Sequence, residues 1–319
     1  MRLLPYDVGL ITRFRGLTRR CGVLVRGPAG WAEWSPFAEY VAPEINPWWA
    51  AAVEAAAVGF PPPVRDAVGV NCTVPALGPE DAHARAAASG CRTAKIKVAD
   101  AGQTFADDVA RVEAVRDALG PEGRVRVDVN GRWSVEEAFV RLRELARFGL
   151  EYAEQPCATA EELADLRLRL ARAGVDVPIA ADESIRRSGD PERVVALGAA
   201  DVAVLKVQPL GGVRACLRLA ETLGLPVVVS SALETSVGLR AGLALAAALP
   251  DLPYDCGLNT ATLLADDVVA EPLVAESGRI VVRDVLVRPE GDWLDAEAEA
   301  SWRERWATMG VAEPEEGWR

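Results

Sequence analysis

The 319-residue chain has no cysteine pair at CxxC spacing, only one histidine, and a shortage of basic groups. It carries 35 lysines and arginines against 47 acidic residues, a formal charge of -12. That balance excludes nucleic acid and anionic membrane as partners, since either would need a basic surface. The six cysteines (Cys21, Cys72, Cys91, Cys157, Cys216 and Cys256) show neither a metal-type spacing nor a disulfide framework. They fit reduced thiols of a cytoplasmic protein, most of them small core residues. No long hydrophobic run is present either. The apolar start of the chain is broken by Pro5, Asp7 and Arg13, so it is neither a secretory signal nor a membrane span. The most apolar stretch, 238–250, is too short to cross a bilayer and contains Arg240. Internal repeats beyond a strand–helix rhythm and low-complexity tracts are also missing. A soluble protein with a small-molecule partner is expected.

What is there is a large apolar content, 50% of residues, enough for a sizeable core. From about residue 66 a short β-rich run, a turn, a capped amphipathic helix and a glycine recur. Thr104 with Asp107, Ser134 with Glu137 and Thr159 with Glu162 each have capping-box spacing, and Gly120, Gly149 and Gly174 close the helices they open. Asp190 and Pro191 open a fourth. Between the helices lie "TAKIKV", "RVRVDVN", "EYAEQP", "VPIAADES", "DVAVLKVQ" and "LPVVVSS", preceded by "AVGVNCTV". Alternating strands and helices imply parallel pairing with right-handed crossovers. Seven such strands and a plausible last one near "PYDCGL" predict a (β/α)-barrel. A doubly wound open sheet is the alternative, but no Gly-rich phosphate loop follows the first strand. Residues 1–65 read as a small α+β capping domain: a meander of "LITRFRG", "CGVLVRG" and "GWAEWSPF", then the helix "PWWAAAVEAAAVG". The barrel then occupies 66–258, and the segment 259–319, with its weaker run "GRIVVRDVLV", returns to cover the first domain.

In "RVRVDVN" strand alternation puts Arg126, Asp128 and Asn130 on one face and three valines on the other. When the strands are aligned by their C-terminal ends, the polar residues fall into one ring at the barrel mouth. Lys95 and Lys97 end one strand; Asp128, Glu154, Asp182 and Lys206 follow, separated from one another by 26, 28 and 24 residues, about one βα unit each, before Ser230. Three carboxylates from adjacent strands repel one another unless a cation lies between them. A hard divalent ion with oxygen ligands, most simply Mg²⁺, satisfies Asp128, Glu154 and Asp182. Each fragment has an ordinary explanation alone: a charged edge, an Asn-Gly turn, a helix cap. Their joint occurrence, in order and at this spacing, does not.

Over roughly residues 66–240 the combination of "KIK", "DVN", "EQP", "DES" and the later lysine resembles the enolase superfamily, in its muconate-lactonizing-like branch. The resemblance implies an enzyme in which a base removes the proton next to a substrate carboxylate while a metal stabilises the resulting enediolate. Asp128, Glu154 and Asp182 would be the metal ligands, and Lys97 and Lys206 the acid/base pair. Lys95, Arg126, Asn130, Ser230 and Ser231 would be substrate-binding or ligand-orienting residues of the mouth. His83, in a likely helix, is expected at the surface, which excludes a histidine-base member.

The "RxDxN" form around Arg126 and the serine-rich "SSALETSVGL" resemble the branch's dehydratases. These imply syn loss of water from a succinyl-bearing cyclohexadiene carboxylate to give an aromatic acid for menaquinone. Racemisation or epimerisation of an N-acylamino acid by the same two lysines is the alternative enzyme reading. A barrel kept only for binding is the non-enzyme one.

Overall fold

The computed structural model describes residues 1–187, 190–312, 314, 317 and 318. The chain opens with a three-stranded antiparallel meander, β1 (Arg2–Phe14), β2 (Leu17–Gly27) and β3 (Gly30–Trp34), followed by helix α1 (Asn46–Ala57). The first strand begins eight residues before "LITRFRG". Pro5, Gly9 and the charge of Asp7 hid its start, but Pro5 is tolerated because β1 lies at the edge of its sheet. The run 67–74 is also not one strand. It splits into β4 (Ala67–Gly69) and β5 (Cys72–Val74), because Val70 and Asn71 turn to bond Gly278 and Cys256.

After helix α2 (Pro79–Ala88) come β6 (Thr93–Lys97), α3 (Phe105–Leu119), β7 (Arg124–Asp128), α4 (Val135–Leu145), β8 (Leu150–Glu154) and α5 (Ala160–Arg172). They continue through β9 (Ile179–Ala181), the one-turn helices α6 (Glu183–Arg186) and α7 (Arg193–Ala196), β10 (Val202–Leu205), α8 (Val213–Leu223), β11 (Val227–Val229) and α9 (Ser236–Ala248). All three expected capping boxes form, with Thr104, Ser134 and Thr159 each accepting the backbone N–H three residues on. The helix expected from Asp190 and Pro191 is a single turn, since Gly198, at φ +58°, ends it.

Strands β5 to β11 form one seven-stranded parallel sheet in sequential order. The expected eighth strand is reduced to two residues. Cys256 N donates to Gly69 O at 2.7 Å and Gly257 N to Val229 O at 2.8 Å, so residues 256–257 join the end of β11 back to the start of the sheet. Along β6 and β7, Ala94, Ile96, Val125 and Val127 face the helices in the main core. The opposite face points into the barrel, where Tyr152, Ala180, Val202, Val204 and Val228 form a smaller apolar layer. The period of two separates a helix-facing core from a barrel interior, and the polar ring sits on that interior at the C-terminal ends.

Strand β12 (Arg279–Val281) pairs with β4, and helix α10 (Glu299–Ala307) brings Trp302 and Trp306 edge-on to Trp34 of the meander, at ring distances of 5.2 and 5.5 Å. Five of the six cysteines are buried and all are free. Among the described residues no helix is long and apolar enough to cross a membrane.

Candidate active site

Register assembles the ring. Lys97 lies beside Asp128 across β6 and β7, and Asp128 beside Glu154 across β7 and β8. Asp182, Lys206 and Ser230 each follow the last residue of β9, β10 and β11. All three carboxylates are buried, and ammonium groups take their oxygens. Lys95 Nζ donates to both oxygens of Glu154 at 2.9 Å and lies 3.2 Å from Asp128 Oδ2. Lys97 Nζ donates to Asp128 Oδ2 at 2.5 Å and to Asn130 Oδ1 at 2.7 Å. Across the ring, Lys206 Nζ donates to Asp182 Oδ2 at 2.5 Å.

The two strand lysines have opposite proton affinities. Burial works against charge on Lys95, but Glu154 and Asp128 outweigh it and hold the ammonium well above the ordinary lysine range. Burial dominates at Lys97, where Asp128 only partly offsets it and the neighbouring Lys95 adds to it, so its pKa is lowered. Of these adjacent lysines, Lys97 is the one eased toward the neutral form, the form in which an amine could accept a proton. Glu154 is pushed up to about 7, by burial first and then by the facing Asp128, more than Lys95 offsets. At Asp182 burial is overcome by Arg186 and Lys206, which hold the carboxyl below its usual range.

Among the described residues no three acidic, histidine or cysteine side chains converge, as they stand, into a ready cation site. The donor set nevertheless suits a hard cation: three buried carboxylates on neighbouring strands, with Glu154 raised by burial and then by Asp128's charge, a repulsion that a divalent ion would remove.

Asn130, at φ +53°, joins the ring from both ends, accepting from Lys97 and donating through Nδ2 to Glu183 Oε1 at 3.2 Å. Ser230 and Ser231 border the same cavity, and Ser231 Oγ lies 2.7 Å from Thr260 Oγ1. Phe14, from the β1–β2 hairpin, closes over Lys97, whose ammonium is 5.5 Å from the ring centre. The cavity enclosed by these groups measures about 30 Å³. That is space for about one water, and Phe14, Arg15, Lys97 and Asn130 also line an adjoining pocket of about 310 Å³.

Arg126 stands elsewhere than the mouth. Alternation does turn it into the barrel, but one layer beneath Asp128, with no exposed surface. There its Nε donates to Glu151 Oε2 at 2.5 Å and Nη1 to Asp255 O at 2.6 Å and Asn71 Oδ1 at 3.2 Å, with the guanidinium 4.7 Å from the Tyr152 ring centre. It plugs the barrel floor. Arg126→Met is therefore expected to cost about 3 kcal/mol of stability, the lower end for breaking a buried pair because Glu151 stays partly solvated. Urea unfolding checks this, and an unchanged midpoint would contradict it.

Two functional neighbours escaped sequence reasoning. Gln155 Oε1 accepts the backbone N–H of Asp182 at 2.9 Å and of Ser184 at 3.1 Å, fixing the turn that presents Asp182. Arg186 Nε donates to Asp182 Oδ1 at 2.8 Å, and its i+4 spacing was the available signal. His83, on α2, is partly exposed and lies 3.2 Å from Asp117, away from the ring.

Glu234, beyond the seventh strand, is fully buried and pushed up to about 7 by burial and then by Glu33, against the pull of Arg20. A carboxyl raised in the folded state favours folding at low pH and loses that contribution as pH climbs from 4.5 through 7. Glu234→Gln is expected to flatten stability across that window and to gain roughly 3 kcal/mol at pH 8, at 1.36 kcal/mol per unit. Denaturation midpoints at pH 5 and 8 measure it, and equal losses at both would oppose it.

The fold is a barrel whose mouth carries a row of buried carboxylates with lysines on two sides of it. Residues 79–288 match the enolase C-terminal domain-like family and residues 6–56 the enolase N-terminal domain-like family, and the chain belongs to the enolase superfamily. Within it, the chain is 62% identical over 308 residues to an o-succinylbenzoate synthase of Thermobifida fusca, covering 96% of this chain and 95% of that one. It is 51% identical to another o-succinylbenzoate synthase, from Mycolicibacterium smegmatis, over 96% and 92% of the two chains. The muconate lactonizing enzyme of Pseudomonas fluorescens shares the fold, with a TM-score of 0.76 at 25% identity over 97% of each chain.

Proposed function

We propose that this lyase catalyses the syn dehydration of 2-succinyl-6-hydroxy-2,4-cyclohexadiene-1-carboxylate to 2-succinylbenzoate, a step toward menaquinone. The observation that carries the reading is the 62% identity to an o-succinylbenzoate synthase along nearly the whole of both chains. In this reading residues 1–65 cap the site, 66–258 carry the chemistry and 259–319 return to the cap. Asp128, Glu154 and Asp182 would hold a divalent ion, most simply Mg²⁺, whose charge would stabilise the substrate carboxylate as the α-proton leaves.

The remaining chemistry belongs to the lysines. Neutral Lys97 takes the α-proton, and the C–H electron pair passes into the carboxylate as an enediolate. As that pair returns to form the new ring double bond, the C–O bond to the ring hydroxyl breaks, and the proton on Lys97 passes to the leaving hydroxide to complete water. Base and acid can be one group because proton and hydroxyl leave from the same face. Lys206, paired with Asp182 on the far side, keeps positive charge near the developing enediolate and can face the emerging aromatic ring. Lys95, bound to Glu154 and beside Asp128, orients both carboxylates.

Because the base works only when neutral, kcat/KM is expected to rise with pH and to level off below 10.5, the ordinary lysine value. A rising limb centred at or above that value would contradict the role given to Lys97. The reading itself is tested by following the ultraviolet absorbance of the cyclohexadiene carboxylate with purified protein and Mg²⁺. Conversion that stops on addition of chelator supports it, and no conversion with any divalent ion overturns it.

A further inference from the structure

Arg20, on β2, is buried at the seam between the meander and the barrel mouth, and it touches none of the ring residues. Its donors go mainly to backbone. Nε donates to Leu233 O at 2.9 Å, Nη1 to Cys21 O at 3.0 Å, and Nη2 to Ala232 O at 3.3 Å, Ser35 Oγ at 2.9 Å and the Ser35 carbonyl. The guanidinium also lies over Phe37, 4.5 Å from the ring centre. Ala232, Leu233 and Phe37 are walls of the cavity that contains Lys97 and Lys206.

Leu233 has φ +62°, a left-handed conformation that a leucine rarely adopts. In extended chain, successive carbonyls point to opposite sides, whereas the turn at Leu233 brings those of Ala232 and Leu233 to one side, where a planar fork can grip both. The turn is held from within as well, since Leu233 N donates to Ser231 Oγ at 3.2 Å. Ser35 is in turn anchored to the barrel, its N–H donating to Oε1 of Gln208, two residues past Lys206, at 3.0 Å.

We propose that Arg20 is a positioning residue of the reaction: from one layer behind the cavity it locks the left-handed turn at Leu233 and the Phe37 ring, and so fixes the wall against which substrate lies. The capping domain thereby shapes the barrel's seventh loop through a residue that never meets substrate. A lysine cannot replace it, because a single ammonium cannot hold four carbonyls, a hydroxyl and a ring face together.

The kinetic consequence rests on the dehydratase reading; the structural one does not. Arg20→Met and Arg20→Lys are compared with wild type by hydrogen exchange and by steady-state dehydration. Amides of Ala232 and Leu233 are expected to exchange at least tenfold faster while those of α3 and α5 hold, and KM to rise at least tenfold with kcat changed less than threefold. A merely structural arginine would lower the folded fraction, reducing kcat at constant KM and speeding exchange throughout, and that result overturns the proposal. Should wild type fail to dehydrate the substrate, the functional reading falls, and the exchange comparison alone still decides whether Arg20 holds the turn. If neither Arg20 variant folds, Ser35→Ala, which removes one acceptor of the fork, is expected to raise KM about threefold and speed the same two amides. Unchanged values there would overturn the proposal.

Discussion

Lys97→Ala is expected to dehydrate the cyclohexadiene carboxylate about 10⁴-fold more slowly than wild type, the upper end for loss of a general acid–base group. The effect is that large because one side chain serves both halves of the elimination, so proton removal and departure of the hydroxyl fail together. The fold should survive the change. Lys97 is buried at a cost that Asp128 only partly offsets, and removing it leaves Asp128 still paired with Lys95. Stopped-flow or long-time-course assays of the purified variant measure the loss. A fall of less than tenfold would show that Lys97 is a charged lining residue and no base.

The carboxylates should be nearly as sensitive. Asp128→Asn, Glu154→Gln and Asp182→Asn are each expected to reduce kcat by at least about 10²-fold, since even outer partners of metal ligands commonly cost 10- to 100-fold. Calorimetric titration with Mg²⁺ should show correspondingly weaker binding in each variant, which separates a ligand from a residue that only orients the lysines. Of the three, Glu154→Gln should be the mildest to stability, because burial and Asp128 already disfavour its charge. Full activity of any one of these variants in chelator would remove that residue from the ligand set.

The ring was legible in the sequence because each of its members ends a strand and the strands recur at one βα interval. Period-two alternation then decides which side chains turn into the barrel, and it did so correctly for Lys95, Lys97, Asp128 and Glu154. Alternation says nothing about depth. Arg126 shares the inward face with Asp128 but lies a layer lower, where Glu151 and the Asp255 carbonyl hold it, and no local pattern announces those distant partners. Gln155 escaped notice for the same reason, since its bonds to the turn at Asp182 cross from one strand end to the next. Local chemistry was reliable where it is self-contained, as in the capping boxes of Thr104, Ser134 and Thr159. It was unreliable where tertiary pairing overrides it, as in the early start of β1 across Pro5 and the division of 67–74 between two sheets.

The central claim, one-face elimination by Lys97 with Lys206 as the opposing charge, is tested most directly by α-proton exchange in deuterated water. Wild type, Lys97→Ala and Lys206→Ala are compared on both enantiomers of an N-succinylamino acid, alongside dehydration of the cyclohexadiene carboxylate. The account predicts rapid dehydration by wild type and its loss in both variants. Negligible dehydration by wild type, with efficient racemisation and opposite enantiomer-selective exchange in the two variants, would contradict it and make the enzyme a two-base racemase.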